Sequence, residues 1–281
     1  LTSKTIPSGK LTDTWARSYE DYPSSATFSH RDGNLDDEYY SDGIYVGYRY
    51  FESFAKDKVL YPFGFGLSYT AFEIASAITD VTENAITVEA VVKNTGDTAR
   101  KAVVEVYVEA PQGMLGKPSR VLAGFAKTQV IAPGEEEKVT IVIPKKAYAS
   151  YDDSGVTGHK DSFLLEAGSY KIYAGADVRS AALAGSYEQE LKVIEQLEEA
   201  CAPSEQFERM TRDADGTLVY KKIPAREFGP YDRIEKPEEI AYTGDKGYKL
   251  ADVYNKKITM DEFIAQLSDE QLIMLFHAEG M

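Results

Sequence analysis

The sequence predicts a mainly β protein built around one antiparallel β-sandwich. Two observations carry that expectation. Between Ala71 and about Ile194, short runs of alternating apolar and polar residues are separated by turn residues at intervals of about 8 to 12 positions. Before that region, two segments dense in glycine and aromatic residues, Gly43-Ile44-Tyr45-Val46-Gly47-Tyr48-Arg49-Tyr50-Phe51 and Pro62-Phe63-Gly64-Phe65-Gly66-Leu67-Ser68-Tyr69-Thr70, read as a packed joint between domains. A third observation sets the end of the chain apart. From Thr259 onward the apolar spacing turns helical.

Taken in order, Lys10 to Trp15 alternates and is expected to form a short strand that carries the only tryptophan. Ser18 to Glu38 is rich in Ser, Asp, Gly and Pro, has no helical period and is expected to be loop. Glycine permits close backbone approach and positive φ, while each ring covers a large apolar area. Phe63-Gly64-Phe65-Gly66 is therefore expected to be an aromatic-packed turn.

The strands of the sandwich follow. Ile86 to Val92 ends at the turn cluster Asn94-Thr95-Gly96-Asp97, and Val103 to Val108 closes at Pro111. Pro133-Gly134-Glu135 leads into Lys138 to Ile143, and Ala167-Gly168-Ser169 leads into Tyr170 to Gly175. Each run alternates, as a strand with one buried face should.

Residues 195 to about 257 are charged, are interrupted by Pro203, Pro224, Pro230 and Pro237, and read as an extended linker over a neighbouring surface. Within it, Asp213-Ala214-Asp215-Gly216-Thr217 superficially resembles a calcium loop. Position twelve from Asp213 is Pro224, where an EF-hand needs a bidentate Glu, so a hairpin turn at Asp215-Gly216 is expected instead. Met260, Phe263, Ile264, Leu267, Leu272, Ile273, Leu275 and Phe276 then mark two short helices. Ser268 followed by Gln271 fits a capping box at the start of the second.

The paired glycine-aromatic segments resemble the end of the α/β-sandwich domain of glycoside hydrolase family 3, the β-glucosidase and β-xylosidase family. Lys93-Asn94-Thr95-Gly96, Ala132-Pro133-Gly134-Glu135 and Glu166-Ala167-Gly168-Ser169-Tyr170 are similar, in that order, to the family's fibronectin type III-like, immunoglobulin-like domain. Thr12 stands where family members usually carry proline. Ile258 to Leu272 is similar to the opening of the family's (β/α)8 barrel. The resemblance implies a subgroup with the order α/β-sandwich, fibronectin type III-like domain, barrel. It divides the chain into the C-terminal part of an α/β-sandwich domain (1–67), a fibronectin type III-like domain (68–195), an extended linker (196–257) and the first barrel helices (258–281).

Composition narrows the function classes. The 281 residues are 43% hydrophobic and 27% charged, and no apolar run approaches the length of a membrane span. A net charge of −15 with no basic face argues against a nucleic-acid partner. Cys201 is alone, so no internal disulfide is expected, and His30, His159 and His277 are too scattered for a metal site. No cofactor and no membrane partner are expected. A lone cysteine without a signal-peptide pattern favours the cytoplasm. The start at Leu1 and the stop at Glu279-Gly280-Met281 read as those of a piece of a longer protein.

Retaining glycosidases use two carboxylates about 5–5.5 Å apart. The resemblance implies that the nucleophilic Asp lies in the barrel and the acid/base Glu earlier in the α/β-sandwich, so neither maps onto this chain. Asp36, Asp37, Glu38 and Asp42 form an acidic cluster before the Gly-Tyr-Arg-Tyr motif; such runs are usually solvated loop. Tyr39, Tyr40 and Asp42 are the substrate-binding candidates, since tyrosines stack on sugars and donate hydroxyl hydrogen bonds. Interface packing is expected of Tyr45 and Tyr48, and Arg49 is a candidate to hold a carboxylate across the joint. The function expected is that of a non-catalytic central portion of a retaining β-glucosidase, inactive alone. It would pack against the remaining domains and meet β-glucosides or oligosaccharides only through the parent enzyme. The alternative is a stand-alone β-sandwich module that binds carbohydrate or protein.

Overall fold

The structure, a computed structural model, describes residues 7–227, 229 and 238–276. Leu1, Pro230, Pro237, His277 and the terminal Glu279-Gly280-Met281 lie outside the described residues. The chain divides into two compact units, Leu1–Arg226 and Glu227–Met281.

The first unit opens with β1 (Trp15–Ala16), α1 (Tyr48–Phe54) and β2 (Val59–Tyr61). The sandwich follows as β3 (Phe72–Val81), β4 (Ala85–Asn94), β5 (Val103–Glu109), β6 (Val121–Lys127), β7 (Glu136–Pro144), β8 (Ser150–Asp152), β9 (Ser162–Leu165), β10 (Gly168–Gly175), β11 (Ala182–Gln189) and β12 (Lys192–Gln196). A hairpin of β13 (Glu208–Arg212) and β14 (Leu218–Lys222) completes the unit. All pairings are antiparallel, in sheets of order β11-β10-β5-β6, β3-β4-β7 and β12-β9-β8, with two-stranded ribbons β1-β2 and β13-β14.

Alternation explains the core. Ile86, Val88, Ala90 and Val92 of β4 are buried with Val139, Ile141 and Ile143 of β7. Val104, Val106 and Val108 of β5, with Tyr170, Ile172 and Ala174 of β10, complete the cluster. Asn94, fully buried at the end of β4, satisfies its amide there: Nδ2 donates to the carbonyls of Thr98 and Ile131, both at 2.9 Å, and Oδ1 accepts from Thr70 Oγ1 at 2.7 Å and Gly96 N–H at 3.1 Å. The turn cluster is thereby tied to the start of the sandwich.

Two sequence expectations need correction. Lys10 to Trp15 does not form a continuous strand: Leu11 exchanges backbone hydrogen bonds with Gly64 and Phe65, both at 2.8 Å, while strand pairing is confined to Trp15 with Tyr61 and Ala16 with Val59. β5 is not buried on one face only: Glu105 and Tyr107, at the alternate positions, are buried as well. The joint covers that outer face, which turns β5 into a strand buried on both sides. Ser18 to Glu38 is loop with two single 3-10 turns, Tyr19–Asp21 and Phe28–His30.

The second unit holds α2 (Leu250–Tyr254), α3 (Met260–Ala265) and α4 (Asp269–Phe276). Thr259 Oγ1 accepts the Glu262 N–H at 3.1 Å, while the Glu262 carboxylate accepts the Thr259 N–H at 2.7 Å. Ser268 and Gln271 make the reciprocal pair expected of them, at 2.9 and 3.3 Å. Buried Gln266 accepts from the Lys246 and Tyr248 N–H groups and donates to the Tyr248 carbonyl at 2.8 Å, which fastens the preceding loop to α3.

Candidate functional site

Gly47 begins the joint. Its backbone, at φ 58° and ψ −131°, lets the chain turn into α1, where Tyr48, Phe51 and Glu52 occupy one buried face at helical spacing. The Tyr48 ring lies 4.6 Å from Phe63 and 6.1 Å from Tyr107, and its hydroxyl accepts the Leu122 N–H at 2.8 Å. Ser53 Oγ accepts the Ser119 N–H at 2.9 Å and donates to the Arg49 carbonyl at 2.5 Å. Helix and sandwich are thus joined by rings and by backbone hydrogen bonds.

Below the rings lies a buried polar cluster. Tyr107 donates its hydroxyl to Glu105 Oε2 at 2.5 Å. Burial pushes the Glu105 carboxyl up, against the opposing pull of the Tyr107 hydroxyl and the Lys10 ammonium. The Tyr107 phenol is driven far up by the same burial and by the carboxylate it serves. Gly64, at φ +80°, lies directly against this cluster. A Cβ there would meet the Glu105 carboxylate and come within 2.8 Å of the Asp177 Cα.

The ion pair expected at Arg49 is made by other residues. Arg179, in the β10–β11 loop, donates Nε to Glu52 Oε1 at 2.8 Å and Nη2 to the Lys56 carbonyl at 2.8 Å. Among the described residues, Arg49 has no carboxylate within ion-pair distance and lines a cavity instead. Only the contact across the fold singles out Glu52 and Arg179, 127 positions apart in sequence; neither sits in a local motif that would mark it. Tyr45 and Tyr48 are packing residues as expected, both buried. Burial pushes the Tyr45 phenol up to about 12; its hydroxyl lies near Thr211 and the Arg212 backbone without reaching hydrogen-bond geometry.

The three substrate-binding candidates fall on one short segment with different surroundings. The Tyr39 hydroxyl donates to Glu205 Oε1 at 2.5 Å, and its ring packs 5.3 Å from Phe207. Tyr40 is 83% exposed. Asp42 is partly buried, and burial raises its carboxyl above the usual range against a hydrogen bond from Ser24. The neighbouring Ser41 carbonyl accepts the Met210 N–H at 2.7 Å, so the hairpin β13-β14 clamps this segment. The hairpin tip is the turn expected at Asp215-Gly216: Gly216 has φ +92°, and the Thr217 N–H donates to Asp215 Oδ1 at 2.9 Å. No helix among the described residues is long and apolar enough to cross a membrane.

Residues 102–178 match the fibronectin type III-like domain family, Fn3-like. Over its full length the chain is 50% identical to a β-glucosidase of Ruminococcus albus, of which it covers 29%. The solved β-glucosidase of Paenibacillus barengoltzii superposes with a TM-score of 0.85 at 44% identity, over 99% of this chain and 31% of that one. The chain is a homologue of the family 3 β-glucosidases. It corresponds to a partial, Fn3-containing middle segment of those larger enzymes. The GH3 β-glucosidase of Bifidobacterium adolescentis matches more narrowly, with a TM-score of 0.57 at 31% identity over 67% of this chain and 27% of that one. The chain thus spans about a third or less of the length of these relatives.

Proposed function

We propose that this chain is the structural joint of a retaining β-glucosidase and supplies neither catalytic carboxylate. The parent would hydrolyse terminal, non-reducing β-linked glucosyl residues, and this segment would hold its catalytic domains in register. The occupation of the buried carboxylates carries the reading. Glu52 is held by Arg179, Glu105 by Tyr107, Glu166 by Lys117, and Asp152 by the loop that follows it. Each serves packing, and the carboxylate near Glu105, that of Asp177, is engaged in turn by the Arg179 and Ser180 N–H groups rather than standing free as the second group of a two-carboxylate glycosidase. The division into an α/β-sandwich end, a fibronectin type III-like domain, a linker and the first barrel helices belongs to the same reading. So does a cytoplasmic setting, which suits the exposed, single thiol of Cys201.

Within the parent, Tyr39, Tyr40 and Asp42 would edge the sugar site, with exposed Tyr40 stacking on a glucosyl ring. Hydrolysis of a chromogenic β-glucoside by the 281-residue chain alone is expected to be absent; measurable turnover would overturn the proposal. In a full-length enzyme carrying this segment, Tyr40→Ala should raise KM with little change in kcat. An unchanged KM removes Tyr40 from the sugar site.

A further inference from the structure

Between the approach to α1 and the sandwich lies a cavity of about 320 Å³, within the size range of small-molecule sites. Ile44, Leu115, Pro118, Val121, Tyr151 and Phe163 supply much of its wall. The two tyrosines that line it from the sandwich have hydroxyls engaged elsewhere. Tyr148 shares a hydrogen bond with the Tyr187 hydroxyl at 2.7 Å, and Tyr151 donates to Asp161 Oδ1 at 3.2 Å. They therefore offer ring surface rather than hydrogen bonds.

Charge in the cavity is unbalanced. Arg209 is paired with Asp153 at 2.7 Å, and buried Lys117 is paired with Glu166. That leaves Arg49, whose guanidinium has no ion-pair, hydrogen-bond or ring partner among the described residues. In a protein of net charge −15, a permanently charged guanidinium left without a partner on this wall is placed to receive an anion. A planar guanidinium matches a carboxylate in two parallel hydrogen bonds. The cavity adjoins a second cleft that shares Leu115, Tyr151, Asp153 and Arg209 and adds Lys222, so the approach is cationic as well.

We propose that this cavity binds a small aromatic monocarboxylate, with its carboxylate forked by Arg49 and its ring against Tyr151 and Phe163, whose own centroids lie 5.1 Å apart. An aromatic acid fits better than a sugar acid. Ile44, Leu115, Pro118 and Val121 give the aromatic ring apolar surface, against which sugar hydroxyls would lose water.

Calorimetric titration of the 281-residue chain with benzoate, benzyl alcohol and glucuronate tests this, with ligand-observed NMR as a second readout. Saturable benzoate binding is expected, at least tenfold tighter than benzyl alcohol and glucuronate. Arg49→Gln should weaken benzoate roughly tenfold or more, the loss of a hydrogen bond to a charged group, and leave benzyl alcohol unchanged. Ala147→Phe, on the exposed rim, should block all binding by filling the space and gives an independent test should Arg49→Gln fold poorly. No saturable benzoate binding at millimolar concentration would overturn the proposal. Glucuronate binding as tight as benzoate, or benzoate binding indifferent to both substitutions, would overturn it equally.

Discussion

Arg179 and Glu52 meet at 2.8 Å across the joint, a loop of the sandwich holding the buried face of α1. Glu52 is almost completely enclosed, while Arg179 keeps part of its guanidinium in water. Removing the cation strands a desolvated carboxylate, which costs more than the pair itself contributes. Arg179→Ala should destabilise the first unit by about 2–3 kcal/mol in urea unfolding, and Glu52→Gln by less. Equal effects would mean that the pair does not hold the joint.

Asp152 ends β8 and organises the loop after it. Its carboxylate accepts from the Gly155 N–H at 2.7 Å, the Thr157 N–H at 2.9 Å, Thr157 Oγ1 at 2.6 Å and both the N–H and the hydroxyl of Ser154. Burial alone would raise its pKa, but these hydrogen bonds outweigh burial and hold it below the usual carboxylate range. The folded pKa is therefore below the unfolded one. Its stabilisation is complete above about pH 4 and is lost as pH falls through the folded value. Asp152→Asn should flatten the acid limb of stability against pH, and Asp152→Ala should cost roughly 2–4 kcal/mol near neutrality. Unfolding midpoints measured from pH 2 to 6 decide the matter; an unchanged acid limb in Asp152→Asn rules it out.

Lys117 and Glu166 form an ion pair with both side chains nearly enclosed, and Glu166 also accepts the Met114 N–H at 2.7 Å. Gly113, at φ +52°, lies against that carboxylate where a side chain would collide with it. Glu166→Leu should cost about 3–5 kcal/mol by leaving an unpaired ammonium inside. Adding Lys117→Met should recover part of that loss. Additive losses in the double-mutant cycle would refute the coupling.

Gly64 tests the aromatic turn. Its positive φ and the nearby Asp177 backbone leave no room for a methyl group. Gly64→Ala should lower stability by roughly 2–4 kcal/mol, whereas Gly134→Ala, which has positive φ but open space, should cost only about 1 kcal/mol. Thermal melting of the two variants compares strain alone with strain plus collision.

Strands with strict alternation were legible: β4, β5, β7 and β10 lie where the apolar period places them, as do the Asp215-Gly216 turn and the Ser268 capping box. The short or irregular strands were not. β6 carries Ala123, Gly124 and Ala126, which break up its apolar signal, and its register shifts between the partners of Val106 and Tyr107. α1 was hidden because aromatic residues dominate it and its start depends on the backbone of Gly47. The burial of Glu105 and Tyr107 could not be read from β5, since what covers that face comes from a distant segment. For the candidate site, the packing roles of Tyr45 and Tyr48 followed from residue type, whereas pairing of Glu52 with Arg179 rather than Arg49 depends on which loop reaches the helix.

The only tryptophan, Trp15, sits on the β1-β2 ribbon, 53% exposed, with its ring 6.0 Å from Tyr61. The sandwich instead carries clustered tyrosines, Tyr170 stacked on Tyr187 at 5.5 Å and Tyr148 tilted against Tyr170 at 5.8 Å. Indole fluorescence consequently reports on the ribbon alone, so in an unfolding experiment it isolates the joint from the sandwich that far-ultraviolet dichroism follows.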